Sequence, residues 1–319
     1  AAPGDTIQIG PGRYDDYTIL DIGALVLDCY VNDNGKGLTY LGAGDETIIG
    51  PEQIYDFFET DSTGLWCEYA GMMHRIKDIL VQHVEFGIVV SGEIDICDAV
   101  SQSCWEGMRT YTELGGTIAG YTARECWDFG VGIATTSRDL TIINCAFLDN
   151  YKGCTVLMGS GSIILINCIA TDNTVYGIQY ADNSTGAIRN SIITGSRLAV
   201  SVATGAQLEI VDCRLVPSEY EALRIVNGGS RVTGSGNMFI AIGDRSAIDL
   251  CNSHIVMSNS HILRAEGYAV KLGCAYWAAR TRLIISGIST CATTTGALPS
   301  RIRSRPGSGT ATTILPSMP

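Results

Sequence analysis

Three charged residues of alternating sign recur at similar intervals in the second half of the chain. Arg224, Asp249 and Lys271 lie 25 and 22 residues apart. If each interval is one structural repeat, the three side chains lie beside each other on successive repeats. An Arg and Lys pair in that arrangement could neutralise a uronic acid and abstract its C5 proton, as in lyase chemistry. The alternative is a ladder of salt bridges on a solvated face.

A second group of residues has the chemistry to bind sugar rings through charge, hydrogen bonds and stacking. The predicted substrate-binding residues are Arg109, Tyr111, Tyr151, Tyr176 and Gln179. Trp105 and Trp127 follow equivalent cysteines and are expected to occupy one position on adjacent repeats. The alternatives are ordinary surface residues, or stacked rings that stabilise the surface of a repeat.

Acidic residues recur in the turn that precedes the same strand, namely Glu85, Glu106, Asp128, Asp149 and Asp172. Carboxylates on adjacent repeats could reach the separation that glycosidases use, or could hold a cation. The alternative is that they form the turn itself. The complete motifs of hydrolases, esterases and calcium-dependent lyases are missing. We therefore predict no metal site and no cofactor, and a bound calcium ion has no motif to support it.

The chain contains a repeat of 20 to 25 residues, and this repeat predicts the strands that must position these residues. Each repeat carries a small residue before a large apolar one, with Arg197 as the exception. The pairs are Gly87-Ile88, Gly107-Met108, Gly130-Val131, Gly153-Cys154, Gly177-Ile178, Arg197-Leu198, Ala222-Leu223, Ala247-Ile248 and Ala269-Val270. This period is typical of a solenoid, and the short apolar runs between turns predict three strands per repeat.

The corners of the repeat are predicted from cysteine and asparagine. Five of the 12 cysteines are expected to form one ladder of buried thiols, in which Ser191 replaces a cysteine in one repeat. These cysteines are Cys104, Cys126, Cys145, Cys168 and Cys213. His83 is expected to occupy the same ladder. Asn144, Asn167 and Asn190 are predicted to adopt left-handed geometry and to form an asparagine ladder. Disulfides among the other cysteines stay open.

With this repeat, and with strand-like segments at residues 3–14 and 38–49, the chain resembles the right-handed parallel β-helix superfamily, the pectate-lyase-like fold. The resemblance covers residues 5–290. It implies an all-β, single-stranded right-handed parallel β-helix (solenoid) of about 10 or more coils, with three short strands per coil. It also implies a substrate groove along the first strand of each coil. Ile166 is expected to point inward or to lie at a coil corner.

Three regions are predicted along the chain. Residues 1–75 form N-terminal coils and a cap, with Phe57, Phe58, Trp66 and Tyr69 packing over the first coils. Residues 76–290 form the regular coils, and residues 291–319 form a C-terminal tail. The start at Ala1, without a signal peptide, is expected of a mature or trimmed chain.

The composition of the chain argues against two kinds of partner, nucleic acid and membrane. A net charge of −12 argues against nucleic acid, and the absence of an 18-residue apolar run argues against a membrane span. We expect a secreted or surface-exposed protein that binds, and in one version cleaves, a polysaccharide as a lyase or glycoside hydrolase. The alternatives are a non-enzymatic structural or adhesive component, such as a phage tailspike, fibre or cell-surface repeat protein assembling as a homotrimer or filament, and a scaffold within a larger protein. The expected location is extracellular, at a cell surface or in a virion.

Overall fold

The computed structural model describes residues 2, 4–15, 17–19, 25–27, 31–32, 37–53, 62–67, 73–110, 115–136, 138–159, 161–226, 229–263, 269–272, 282–286 and 289–291. Phe57, Phe58, Tyr69, Tyr111 and the tail beyond residue 291 lie outside this set, as does most of the predicted cap. Two compact units divide the chain, unit 1 (Ala1–Ile163) and unit 2 (Ile164–Pro319). The boundaries expected at residues 75 and 290 stay a prediction.

The fold is an all-β parallel solenoid, without helix in the described residues, which confirms the predicted class. Unit 1 contains β1 (Thr6–Gln8), β2 (Gly12–Tyr14), β3 (Tyr17–Ile19), β4 (Leu25–Leu27), β5 (Val31–Asn32), β6 (Thr39–Ile49), β7 (Thr63–Cys67), β8 (Met73–Gln82), β9 (Phe86–Val90), β10 (Glu93–Cys97), β11 (Val100–Gln102), β12 (Glu106–Thr110), β13 (Gly115–Ala119), β14 (Thr122–Arg124), β15 (Phe129–Thr136), β16 (Leu140–Ile143), β17 (Ala146–Leu148), β18 (Lys152–Gly159) and the start of β19 (Ser162–Ile166).

Unit 2 continues the same strand pattern. It contains the rest of β19, then β20 (Ile169–Thr171), β21 (Tyr176–Ala181), β22 (Thr185–Arg189), β23 (Ile192–Thr194), β24 (Leu198–Ala203), β25 (Gln207–Val211), β26 (Arg214–Val216), β27 (Leu223–Val226), β28 (Arg231–Ser235), β29 (Met238–Ile240), β30 (Ile248–Cys251), β31 (His254–Ser258), β32 (His261–Leu263), β33 (Val270–Leu272), β34 (Arg282–Ser286) and β35 (Ser289–Cys291).

Each coil contributes one strand to each of three parallel ladders, because the chain advances by one strand spacing per turn. We call the strand that follows a small-apolar pair the first strand. The first strands of unit 1 pair in the order β7, β9, β12, β15 and β18. Those of unit 2 pair in the order β21, β24, β27, β30 and β33. Only β3 and β4 pair antiparallel among the described strands.

The register of the first strands removes the one exception to the small-apolar rule. Ile178 pairs with Val200, and Val200 pairs with Leu223. The pair in that coil is therefore Ala199-Val200, and the prediction of Arg197-Leu198 is wrong by two residues. A shift of two keeps side chains on the same face, which is why apolar alternation alone did not detect it.

The core is filled by alternate residues of each strand. In β19, Ile163 and Leu165 are fully buried, whereas Ile164 and Ile166 are partly exposed. Of the two expected positions of Ile166, the inward one is therefore wrong, and Leu165 occupies the core. Ile166 instead ends β19 directly before the corner residue Asn167, which agrees with the coil-corner alternative. A run of four apolar residues carries no alternation from which to choose the inward pair.

The predicted ladder of five cysteines is wrong, because the cysteines occupy two different corners. Cys104 and Cys126 lie between a third strand and the next first strand, whereas Cys145, Cys168 and Cys213 lie between a second and a third strand. In unit 2 this second corner is linked by bonds from Cys168 N to Ser191 Oγ at 3.0 Å and from Cys213 N to Asn237 Oδ1 at 3.0 Å. Both corners need a left-handed residue before a small buried one, so one local pattern occurs twice per coil.

The residue before each corner cysteine, and before Ser191, has a positive φ. This confirms the prediction for Asn144, Asn167 and Asn190, whose φ values are 55°, 54° and 50°. These three asparagines are exposed, and a side-chain ladder among them stays a prediction. The buried asparagines are different residues. Asn150 accepts from Cys126 N at 3.0 Å and donates to Ala123 O at 3.1 Å, which fastens one coil to the coil before it.

The corner thiols are expected to be unreactive. Eight described cysteines carry thiols rather than disulfides, and burial raises the pKa of Cys104 to about 12 and of Cys213 to about 11. Thiols of this kind are poor nucleophiles and act as small apolar groups. Cys251 differs, because it takes part in a disulfide. His83 does not belong to either ladder, since Trp105 N bonds Val84 O and Trp127 N bonds Cys104 O, which aligns Val84 with Cys104.

Candidate functional site

The predicted charged row of unit 2 exists. Arg224 pairs with Asp249, and Asp249 pairs with Lys271, on three adjacent first strands. Lys271 Nζ lies 3.2 Å from Asp249 Oδ2. Asp249 is only 8% exposed, and its Oδ1 has no hydrogen-bond partner among the described residues. This contact fits the salt-bridge alternative, and the lyase role of the row stays a prediction.

Of three further residues predicted to bind substrate, the structure describes two. Gln179 faces outward on β21, but its neighbour is Ser201 rather than Ala199, which corrects the predicted row by the same two residues. Tyr176 begins β21, is partly buried and pairs with Leu198. Tyr111 lies outside the described residues.

A continuous row of aromatic residues lies in unit 1, in the turn before the first strand. Trp105 N bonds Val84 O at 3.1 Å, Trp127 N bonds Cys104 O at 3.0 Å, and Tyr151 N bonds Cys126 O at 2.9 Å. Each residue thus occupies the same position one coil further along. Trp127 is 54% exposed and Tyr151 is 44% exposed. We call Trp105, Trp127 and Tyr151 the aromatic strip.

The sequence joined Trp105 to Trp127 but missed Tyr151 as the third member. Both tryptophans directly follow a corner cysteine, whereas Tyr151 follows Asn150. The bond from Cys126 N to Asn150 Oδ1 shows that Asn150 takes the cysteine's place in the next coil. An exchange of cysteine for asparagine at one corner was therefore the signal that would have found the strip.

Beside the aromatic strip lie two acids and two cations, which we call the charged cluster: Glu106, Arg109, Asp128 and Lys152. Arg109 Nε lies 3.3 Å from Glu106 Oε2, and Lys152 Nζ lies 2.9 Å from Asp128 Oδ1. Each cation also lies over a ring. The Arg109 guanidinium carbon is 4.7 Å from the centroid of Phe86, and Lys152 Nζ is 4.2 Å from that of Phe129. Both cations are thereby oriented as well as paired.

The acids form a smaller group than the sequence predicts. Glu106 pairs with Phe86 rather than with Glu85, so the expected stack of Glu85, Glu106 and Asp128 is wrong for Glu85. Asp149 and Asp172 are exposed turn residues with φ of 55° and 56°, which agrees with their turn-forming alternative. Of the five acids that the sequence singled out, Glu106 and Asp128 belong to the charged cluster.

Glu106 has the most perturbed environment of the cluster. It is 4% exposed, and burial raises its pKa to about 7. Asp128 raises the pKa further, while Arg109 and Lys152 oppose the rise. Burial dominates because a desolvated carboxylate loses more hydration than one cation at 3.3 Å returns. Glu106 is therefore a group that changes protonation near neutral pH.

The outward face of the first strands continues the site. Arg109 pairs with Gly132, and Gly132 pairs with Thr155. A Cβ added at Gly132 would lie 3.4 Å from the Phe129 ring, an ordinary contact distance, so Gly132 lies directly beside the ring that Lys152 covers. Thr155 is 1% exposed, and its Oγ1 has no hydrogen-bond partner in the described part of the chain.

Metal ligands and membrane spans were searched among the described residues only. That part of the chain contains no group of three or more His, Cys, Asp or Glu side chains able to hold a metal ion. It also contains no helix of the length and hydropathy needed to cross a membrane.

Residues 63–239 match the family model described as a right handed beta helix region, and the chain belongs to that family. The right-handed parallel β-helix expected from the repeat is thus confirmed. No curated protein matches the chain in sequence.

Solved structures with the same fold are distant in sequence. The periplasmic alginate epimerase AlgG is 12% identical with a TM-score of 0.63, over 90% of this chain and 85% of that one. The A-module of mannuronan C-5 epimerase AlgE4 from Azotobacter vinelandii is 15% identical with a TM-score of 0.59, over 97% and 91%. The catalytic unit of a GH87 alpha-1,3-glucanase from Streptomyces thermodiastaticus is 13% identical with a TM-score of 0.54, over 94% and 66%.

Proposed function

We propose that this chain is a secreted or surface-exposed protein that binds a polysaccharide along the aromatic strip of unit 1. The observation that carries the proposal is the alignment of Trp105, Trp127 and Tyr151 on adjacent coils, with two of the rings 54% and 44% exposed. Large rings are usually buried, so a row of exposed ones in register is typical of a binding surface. The structural neighbours whose titles name alginate, mannuronan and alpha-1,3-glucan support a polysaccharide as the ligand.

The spacing of the strip suits a chain of sugars. Adjacent coils are about 4.8 Å apart, so the three rings extend over about two strand spacings, on the scale of a short oligosaccharide. Aromatic faces pack against the apolar faces of pyranose rings. Arg109 and Lys152 lie beside the strip, each paired with a carboxylate, so that a sugar hydroxyl there would meet hydrogen-bond donors and acceptors together. Stacking and polar contacts together would hold and orient the chain.

Binding is tested by isothermal titration with alginate, polygalacturonate, a soluble alpha-1,3-glucan and dextran. We expect wild-type protein to bind at least one of them, and Trp127→Ala and Tyr151→Ala each to lose about fivefold in affinity, since a stacking contact is worth about 1 kcal/mol. Tyr14→Ala is the matched control, because Tyr14 is 38% exposed on β2, outside the strip. Failure of the wild type to bind any of the four, or equal losses at Tyr14 and Tyr151, would overturn the proposal.

A structural role in an assembly is the second candidate. Ile169 and Ile192 pair on β20 and β23 of unit 2, and each is 45% exposed. Two adjacent exposed isoleucines on a flat ladder favour contact with another chain. Light scattering tests this role, for which a trimer or filament is expected, and Ile192→Lys should return the protein to monomers. A monomer at all concentrations would contradict it.

A further inference from the structure

One residue of the charged cluster departs from the repeat that surrounds it. Glu106 occupies the position held by Phe86 in the neighbouring coil, at the start of the first strand. It is as buried as a core residue, at 4% exposed. Burying a carboxyl group there destabilises the coil, and an apolar side chain fits the same position one coil earlier. Where a sequence breaks its own repeat at a cost in stability, the reason is most often functional.

A second unusual group lies on the same ladder of strands. Thr155 Oγ1 is buried without a hydrogen-bond partner among the described residues, and Thr155 follows Lys152 on β18. Its neighbours Cys154 and Val156 point into the core, so Thr155 faces the outer side. Buried hydroxyls are normally bonded, so this one is suited to an oxygen supplied by a ligand or a water molecule. Glu106 directly follows Trp105 of the aromatic strip, and Thr155 lies four residues after Tyr151 on the same coil.

We propose that unit 1 hydrolyses the polysaccharide that it binds, with Glu106 as the proton donor and Asp128 as the base. The inference rests on the proposed function, because it requires a glycosidic bond to lie over the charged cluster. Two carboxyl groups in unequal environments are the pattern from which acid and base roles are assigned. Glu106 is buried beside Arg109, whereas Asp128 is more open and bonded to Lys152 at 2.9 Å.

Hydrolysis at the charged cluster moves one proton to the leaving oxygen and takes one from the attacking water. Glu106 donates its proton to the glycosidic oxygen while the bond between that oxygen and the anomeric carbon breaks. Asp128 accepts a proton from a water molecule, whose oxygen forms the new bond to the anomeric carbon. The products are two chain ends with one water added. Exchange with solvent then returns a proton to Glu106 and removes one from Asp128.

Lyase chemistry at this cluster is less well supported than hydrolysis. A lyase needs a cation that is free to neutralise a uronate and a base that removes a carbon-bound proton. Arg109 and Lys152 are each bonded to a carboxylate and stacked on a ring. They are held as partners of the acids, in an arrangement that sets the protonation of the carboxyls.

The pH dependence follows from the groups that act on Glu106, namely Arg109, Asp128 and Lys152. Proton donation needs the neutral acid, and the pKa of Glu106 is about 7. We therefore expect the hydrolysis rate to fall as pH rises through about 7. A conventional carboxyl would lose this activity well below neutral pH.

The experiment uses the polysaccharides that bind in the titration. Reducing ends and product masses are measured in water labelled with heavy oxygen for wild type, Glu106→Gln, Glu106→Asp and Asp128→Asn, with Glu85→Gln as the matched control. We expect one labelled oxygen per cleavage in wild type, a loss of about 100-fold or more for Glu106→Gln and Asp128→Asn with affinity within about threefold, and a partial loss for Glu106→Asp. Glu85→Gln should retain the wild-type rate.

Several results would overturn hydrolysis while leaving binding intact. These are a bound polysaccharide that yields no new ends, unsaturated products without the label, and Glu106→Gln cleaving at the wild-type rate. Glu106→Gln removes a buried charge and keeps the side-chain volume, so a melting temperature at or above that of wild type will show that it folds. If no polysaccharide binds, the proposed function itself fails.

Discussion

The two units each carry acids and cations on or directly before their first strands, yet the surroundings differ. In unit 1, Glu106 and Asp128 lie with their cations beside exposed Trp127 and Tyr151. In unit 2, Arg224, Asp249 and Lys271 form a simple row. The ring in the turn before β27, Tyr220, is partly buried and contacted by Arg197 at 4.9 Å and Arg245 at 5.5 Å, so its faces are less open to a sugar.

The comparison teaches that charge at a regular interval is a weak sign of a site. A parallel ladder brings side chains one period apart into contact, and ion pairs between coils form for that reason alone. A stronger sign is a polar group whose burial the repeat does not explain, next to exposed rings. Unit 1 has both features. In unit 2, Asp249 shows the first feature, because it is a polar group that is only 8% exposed.

The largest effect is expected from a substitution in the core, because the register of a strand decides which of its side chains are buried. Leu165→Asp should lower the free energy of unfolding by about 3 to 5 kcal/mol, because it buries an unpaired charge in the core. Ile166→Asp is the matched control on the same strand, and it should cost about 1 kcal/mol or less because the side chain reaches solvent. Urea titration measures both. Equal losses would mean that the alternation in β19 is incorrect.

The next largest effect is expected in unit 1, where the burial of Glu106 makes the free energy of unfolding depend on pH. Folding raises the pKa of Glu106 from its usual value near 4.5 to about 7, so between these pH values the folded state holds a proton that the unfolded state has released. The contribution of Glu106 to stability is therefore largest below pH 4.5 and is lost as pH rises to 7, by about 2 to 3 kcal/mol. Glu106→Gln should remove this slope from the difference between the two urea titration series. A parallel slope in the variant would show that Glu106 is not desolvated.

A smaller effect is expected at the corresponding row of unit 2. Lys271→Ala leaves Asp249, 8% exposed, without the cation 3.2 Å away and should cost about 1 kcal/mol. In a double-mutant cycle with Asp249→Asn, the coupling between the two residues should account for most of that loss. Loss of polysaccharide cleavage in Lys271→Ala, with cleavage retained in Glu106→Gln, would instead move the active site to unit 2.

The smallest effect is expected at an ordinary surface pair. Arg189 Nη2 lies 2.7 Å from Glu209 Oε2, and both side chains are nearly half exposed. Arg189→Ala should change the free energy of unfolding by about 0.5 kcal/mol or less, since solvent screens the pair. Thermal melts at low and high salt measure it. A larger loss than for Lys271→Ala would contradict the distinction between partly buried and exposed ion pairs.

Much of the architecture was predictable because a solenoid repeats one local pattern. Gly87-Ile88 and its equivalents located nearly every first strand, and Asn144, Asn167 and Asn190 located one left-handed corner. The errors have a common origin. Cys104 and Cys145 lie at corners with the same local chemistry, and Arg197-Leu198 imitates Ala199-Val200 at an offset of two. Patterns that occur twice per coil do not identify which corner is which.

By itself, the sequence determined the class of fold, the parallel stacking of coils and the adjacency of Arg224, Asp249 and Lys271, because these depend on period alone. Only the tertiary structure decided that Asn150 takes a cysteine's place, that Tyr151 extends the aromatic strip, and that Glu106 lies buried beside Arg109. Those facts depend on how far each turn of the chain lengthens and on which side chains exclude water. Both are properties of neighbouring coils packed together, and no single repeat contains them.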